Sequence, residues 1–135
     1  MLFRSYLASA ARANGGRFIG TEREPQKIAA ARANLADAGL DGVAEVRAGD
    51  AMETLADVPA PIDLVLLDGW KELYLPMVQL LRPQLRRGAA VLADNIFTFP
   101  KELAPYVAFV RDPANGFEST TVGIGHGLEY SVVVA

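Results

Sequence analysis

The sequence predicts an α/β domain: a mostly parallel sheet with helices between its strands, closed by a C-terminal antiparallel hairpin. Three observations carry this prediction. Two apolar runs, Ile62–Leu67 and residues 89–93, each end on an acid, Asp68 or Asp94. Runs of this length, bounded by turn or helix signals, read as strands buried on both faces of a parallel sheet. Helical and β-rich segments alternate up to residue 116, and the last two β-rich runs are separated only by a Gly-rich turn.

Each element follows from local chemistry. Phe3, Tyr6, Leu7, Ala10 and Ala11 recur at helical spacing, and Asn14-Gly15-Gly16 stops the helix. Residues 17–21 form a short strand ending at Glu22. Pro25 suits the first turn of the next helix and Gly39 its C-terminal cap, with the Ala-rich segment 26–38 between them. A second short strand, 43–47, ends in Gly49-Asp50, and a brief helix follows over 51–56. Pro59 and Pro61 mark the loop before Ile62–Leu67. A helical stretch covers 73–85, with Pro76 in its first turn and Pro83 near its end. Gly88 then leads into the strand 89–93. A helix over 102–111 breaks at Asp112-Pro113. Phe117–Val122 and 128–134 make the hairpin, with residues 123–127 as its turn.

At 135 residues the chain reads as a single domain, 1–135. Half of it is hydrophobic (51%), which excludes a disordered chain. A net charge of -3 with scattered Lys and Arg leaves no footprint for nucleic acid. No apolar stretch approaches membrane-spanning length, and the start lacks the pattern of a signal peptide. The absence of cysteine suits a reducing cytoplasm.

In parallel sheets ligands bind beyond the carboxyl ends of the strands. If the two acid-ended strands are neighbours, Asp68, Asp94 and Asn95 converge, and three oxygen donors favour Mg²⁺ or a similar hard cation over zinc. The alternative is that each acid only caps a strand–helix junction. Lys71 lies three residues beyond Asp68, where a nearby cation would favour its neutral amine and a role as general base. Trp70 offers a flat surface to an aromatic or adenine ring. The alternative here is a solvated lysine and a core tryptophan. Glu22, ahead of a helix, can accept both hydroxyls of a ribose, and Asp50 can line an adenine. The stretch Gly123-Ile124-Gly125-His126-Gly127-Leu128 fails as a dinucleotide fingerprint, because Leu128 replaces the last glycine and a β-type run follows. His126, the one histidine, reads as a turn residue.

Two blocks, 67–76 (Leu-Asp-Gly-Trp-Lys-Glu-Leu-Tyr-Leu-Pro) and 87–95 (Arg-Gly-Ala-Ala-Val-Leu-Ala-Asp-Asn), resemble the metal-dependent catechol O-methyltransferase group of S-adenosylmethionine-dependent O-methyltransferases. Weaker similarity runs from about residue 17 to the C-terminus and includes residues 20–25 and 127–130. The resemblance implies a Rossmann-like class I methyltransferase sheet. Asp68, Asp94 and Asn95 match the magnesium ligands, and Lys71 matches the lysine that takes the phenolic proton. Glu22 matches the acid on the cofactor ribose, Asp50 and Ala51 fall in the adenine-side loop, and Asp68 and Trp70 border the cofactor. The implied reaction is in-line transfer of the sulfonium methyl to a hydroxyl of a small catechol-like or phenolic acceptor.

Departures matter as well. Gly69 replaces a histidine of the catechol enzyme, and the glutamate that holds the second hydroxyl has no counterpart. The family's first strand and glycine loop should precede the opening helix, so the expected sheet lacks its first central strand. Three explanations are a truncated gene product, a second chain completing the sheet, or direct pairing of the two flanking strands. Unfilled edges predict a homo-oligomer, and the isolated chain is expected to transfer little methyl. The competing reading is a non-catalytic methyltransferase-like binding or assembly module. A nicotinamide-dependent reductase is disfavoured by the missing glycine fingerprint and the lack of a Tyr-x-x-x-Lys pair.

Overall fold

The computed structural model describes residues 3–135. Its elements are α1 (Phe3–Ala13), β1 (Phe18–Glu22), α2 (Pro25–Asp37), β2 (Ala44–Ala48), α3 (Ala51–Thr54), β3 (Ile62–Leu67), α4 (Tyr74–Leu81), β4 (Leu85–Asp94), α5 (Pro100–Arg111), β5 (Phe117–Val122) and β6 (Leu128–Val133). The backbone divides into two compact units, one ending at Ala56 and one running from Asp57 to Ala135.

In the first unit β1 and β2 pair in parallel, from Phe18 opposite Ala44 to Glu22 opposite Ala48. The core is Ala8, Ile28, Leu35, Leu40 and Val46, with Phe18 and Ala31 packed against it. Helix α2 ends as its sequence demands: the chain turns at Gly39, and the N–H of Leu40 reaches back to the Leu35 carbonyl (2.8 Å). The opening helix buries a different stripe from the one its apolar spacing suggests. Arg4 and Ala8 are buried and Tyr6 is 73% exposed. Arg4 is drawn inward because its guanidinium finds acceptors at the end of β1, described below.

The second unit is a four-stranded sheet in the order β3-β4-β6-β5. β3 and β4 are parallel, and β6 runs antiparallel to both β4 and β5. This sheet is thus mixed rather than mostly parallel: within it only β3 and β4 pair in parallel, and the expected C-terminal hairpin is antiparallel. Tyr74, Met77, Val78 and Leu81 of α4 are buried, as are Leu103, Tyr106 and Val110 of α5. On β4 the alternate residues Ala89, Val91 and Ala93 are fully buried.

Two expectations need correction. The acid-ended strands are not buried on both faces: Leu64 is 44% exposed, and Ala90 and Leu92 are only half-buried. β3 is an edge strand, and β4 alternates between a buried and a half-buried face. Second, β4 begins at Leu85 rather than after Gly88. Ile62 pairs with Leu85 but Leu64 with Ala90, so residues 86–89 bulge opposite Asp63. Gly88, at φ +84°, lets the backbone make that detour. Of the three explanations for the missing first strand, direct pairing of β1 with β3 is not seen among the described residues. Among the described residues β1 pairs only with β2, and β3 only with β4.

Candidate active site

The parallel register of β3 and β4 sets Leu67 opposite Ala93, so both strands deliver their terminal acids at the same edge. Asn95 Nδ2 donates to Asp68 Oδ1 (3.3 Å), and the Asn95 backbone N–H donates to Asp94 Oδ1 (2.7 Å). Asn95 adopts φ +70°, a left-handed conformation that asparagine tolerates better than most residues. That turn points both its N–H and its side chain at the neighbouring acids. Asp68 is exposed, and Asp94 and Asn95 are half-buried.

The donor chemistry fits a hard cation. Two carboxylates and one amide gather at one strand edge, and a half-turn of the Asn95 amide would offer its oxygen in place of Nδ2. Among the described residues no group of three or more His, Cys, Asp or Glu side chains could hold a metal, so this mixed Asp-Asp-Asn set is the candidate.

Lys71 opens the short 3-10 turn that leads into α4. Its Nζ donates to the Gly69 carbonyl (2.9 Å) and to the Tyr74 hydroxyl (3.1 Å). The Tyr74 hydroxyl in turn donates to the Asp94 carbonyl (3.2 Å). Lys71 Nζ also lies 5.0 Å from the centre of the Tyr74 ring and 5.3 Å from that of Phe99. Burial above all, and then the Asp68 carboxylate, raise the Tyr74 pKa, so the phenol keeps its proton. Trp70 is 65% exposed, which rules out the core-tryptophan alternative, and Phe99 is 38% exposed. Tyr74 and Phe99 received no role from the sequence. Tyr74 sits in the Tyr-Leu-Pro block three residues after Lys71, and that spacing was the available signal.

The first unit holds the other candidates. Glu22 Oε1 accepts from the N–H groups of Arg23 (2.9 Å) and Glu24 (3.2 Å), and Oε2 accepts from Arg4 Nη2 (3.3 Å). Burial would raise its pKa, but the two backbone donors and Arg4 outweigh burial and lower it. Oε2 keeps acceptor capacity that a ribose hydroxyl could use. Asp50 caps α3, its Oδ1 accepting from the Met52 N–H (2.8 Å), and its other oxygen is 3.9 Å from Arg23. Ala51 is the first residue of that helix and is half-buried. Arg4 was missed in the sequence, since a lone arginine in an amphipathic helix carries no sign that it will turn inward.

Residues 3–96 match the family described as Methyltransferase domain. The chain belongs to that family. It is 37% identical over 82 residues to a catechol O-methyltransferase of Mycobacterium tuberculosis, a match covering 60% of this chain and 37% of the relative. It is 31% identical over 127 residues to the Mus musculus catechol O-methyltransferase, covering 89% of this chain and 46% of that protein. The chain thus spans less than half the length of these relatives. The SAH-bound structure of the Podospora anserina methyltransferase PaMTH1 superimposes with a TM-score of 0.84 at 19% identity, over 100% of this chain and 70% of that one. The fold is the Rossmann-like α/β fold of these methyltransferases. Within the family, the catechol O-methyltransferase group is where this sequence finds its similarity.

Proposed function

We propose that the chain supports S-adenosylmethionine-dependent methyl transfer to a hydroxyl of a small catechol-like or phenolic acceptor, assisted by Mg²⁺ or a similar divalent cation. The observation that carries this reading is the meeting of Asp68, Asp94 and Asn95 at one strand edge, with the Lys71 amine anchored in the adjoining turn. Asp68, Asp94 and Asn95 would hold the cation, which supplies Lewis acidity toward the acceptor oxygen. Lys71 takes the proton from the attacking hydroxyl. Trp70 and Phe99 give an aromatic acceptor flat surfaces to rest on. On the cofactor side, within the first unit, Glu22 binds the ribose hydroxyls and Asp50 and Ala51 line the adenine. S-adenosylmethionine, when bound, would supply the methyl from its sulfonium, with the neutral thioether S-adenosylhomocysteine as the leaving group. Holding oxygen and methyl near attack distance accounts for much of the remaining rate.

Calorimetric titration with S-adenosylhomocysteine, with and without Mg²⁺, tests the reading. Binding that is weakened in Glu22→Ala, and a separate Mg²⁺ response weakened in Asp94→Ala, are the expected results. No binding of either ligand would favour the non-catalytic module instead. Among the described residues β3 has a single strand partner and an exposed Leu64, which supports self-association through that edge. Sedimentation velocity across a concentration series checks it, with a monomer throughout as the refuting result. We assign a cytoplasmic setting on the absence of cysteine; no helix of the described residues is long and apolar enough to cross a membrane.

A further inference from the structure

We propose that Tyr74 is the positioning residue for Lys71, its hydroxyl tying the lysine amine to the backbone of the Asp94 strand end. This rests on the reading of Lys71 as the proton acceptor. The tether itself stands on geometry within the second unit.

The sequence separation makes the contact natural. Lys71 and Tyr74 flank a 3-10 turn, in which side chains three residues apart eclipse one another. Tyr74 cannot drift, because it is 2% exposed and its ring meets Tyr106 edge-on, with centroids 5.8 Å apart. A phenol has one proton. That proton goes to the Asp94 carbonyl, so a lone pair of the same oxygen faces Lys71 Nζ. The amine therefore has two fixed acceptors, Gly69 O and Tyr74 Oη. In the neutral amine those two take its two N–H bonds. Its lone pair is left in the remaining direction, where an incoming hydroxyl must present its proton. A lysine on a flexible four-carbon stem would otherwise sample many orientations, most of them unproductive. The same link joins the base to the strand end that carries Asp94 and Asn95, so the base and the acidic cluster hold a common frame.

The test does not need turnover. The chain has three lysines, Lys27, Lys71 and Lys101, so their ε-methylene signals separate readily in a ¹³C-labelled sample. Order parameters at Cε are measured on the full chain as wild type, Tyr74→Phe and Phe99→Leu. Tyr74→Phe keeps the ring and removes both hydroxyl hydrogen bonds. Phe99→Leu removes the neighbouring aromatic face and leaves the tether. In wild type Lys71 should be more ordered than Lys101. In Tyr74→Phe it should lose that order and match Lys101, while Phe99→Leu should retain most of it. Wild-type Lys71 as mobile as Lys101, or Tyr74→Phe as ordered as wild type, would overturn the proposal. A wild-type Lys71 as mobile as Lys101 overturns the proposal even if the variant fails to fold. Where methyl transfer is measurable, Tyr74→Phe should lower kcat about tenfold with KM unchanged; a change in KM alone would overturn the positioning role. If Lys71 proves ordered through Tyr74 while Lys71→Met keeps full turnover, the proton-acceptor reading fails and the tether stands.

Discussion

Replacing Arg111 by methionine should destabilise the second unit by about 3 kcal/mol at neutral pH. Glu129 lies in the middle strand of the C-terminal hairpin region with no exposed surface. Arg111 Nε donates to one of its oxygens (2.9 Å) and Nη2 to the other (3.0 Å). Ser119 (2.7 Å) and Thr121 (2.6 Å) add their hydroxyls. Breaking a buried ion pair by removing one partner costs roughly 3–5 kcal/mol, because a charge is left without its counter-charge. Here the low end applies, since Arg111 is 47% exposed and the two hydroxyls remain. With an ordinary urea m-value, the midpoint should fall by roughly 1–3 M. The pH dependence gives a sharper test. Burial would raise the Glu129 pKa, but Arg111, Thr121 and Ser119 outweigh it and bring the pKa below the ordinary 4.5. In wild type Glu129 therefore stabilises the fold above that unfolded value, and the contribution is lost as pH falls through the lower folded value. In Arg111→Met burial opposes two hydroxyls alone, so the folded pKa should rise. The penalty should then be full at pH 7 and shrink as pH falls toward 4, where the carboxyl takes up a proton. Urea unfolding by circular dichroism at several pH values, with amide exchange on β5 and β6, would measure both. A variant within about 1 kcal/mol of wild type at pH 7, or a gap that does not narrow with acid, would refute the reasoning.

Other outcomes follow from single contacts. Gly127 sits at φ +85°, and a Cβ there would lie 2.6 Å from the Phe97 ring, so Gly127→Ala should cost about 1–3 kcal/mol in thermal unfolding. Gly123→Ala, with open space around it, is the control and should cost far less. Glu22→Ala removes a carboxylate from the proposed ribose site and should weaken S-adenosylhomocysteine binding by roughly 10–100-fold in calorimetry. Asp94→Ala should weaken Mg²⁺ binding about tenfold or more, while Asp112→Ala, remote in sequence from the cluster, leaves it unchanged. Lys71→Met should keep the fold by circular dichroism and lower kcat by about 10²–10⁴ wherever turnover is measurable.

The helices were legible because their ends are written in punctuation. Pro25 and Gly39 bracket α2, and Asn14-Gly15-Gly16 closes α1. The start of β4 was not legible. Arg86-Arg87-Gly88 has the composition of a loop, and only pairing with β3 across a bulge makes it strand. The buried face of α1 was not legible for a related reason: Tyr6 follows the apolar spacing, but the acceptors at Thr21 and Glu22 decide which side turns inward. In the site, Asp68, Asp94 and Asn95 could be read as ends of apolar runs. Position beside the acids and at a strand end offered roles for Lys71 and Glu22, and resemblance to a family made those roles specific. Arg4 and the Arg111–Glu129 pair needed coordinates, because each joins residues that no local pattern links, whereas Tyr74 lies at a local spacing from Lys71 whose meaning only the structure supplied.

Two acidic centres in this unit show how satisfaction separates structure from function. A carboxylate offers about four acceptor positions. Glu129 receives two donors from Arg111 and one each from Ser119 and Thr121, so its capacity is filled while it is wholly buried. Any ligand would have to displace a donor that the fold itself supplies. Asp68 differs on both counts: it is exposed, and the Asn95 amide approaches it at a long 3.3 Å. That contact is one a cation would replace at little cost, since the same amide carries an oxygen to offer in its place. The acids at the ends of β3 and β4 are held together by the register of two strands and by the left-handed turn at Asn95, with few of their lone pairs committed. Glu129 is an acid the fold has used up, whereas Asp68 is one it has placed and left available.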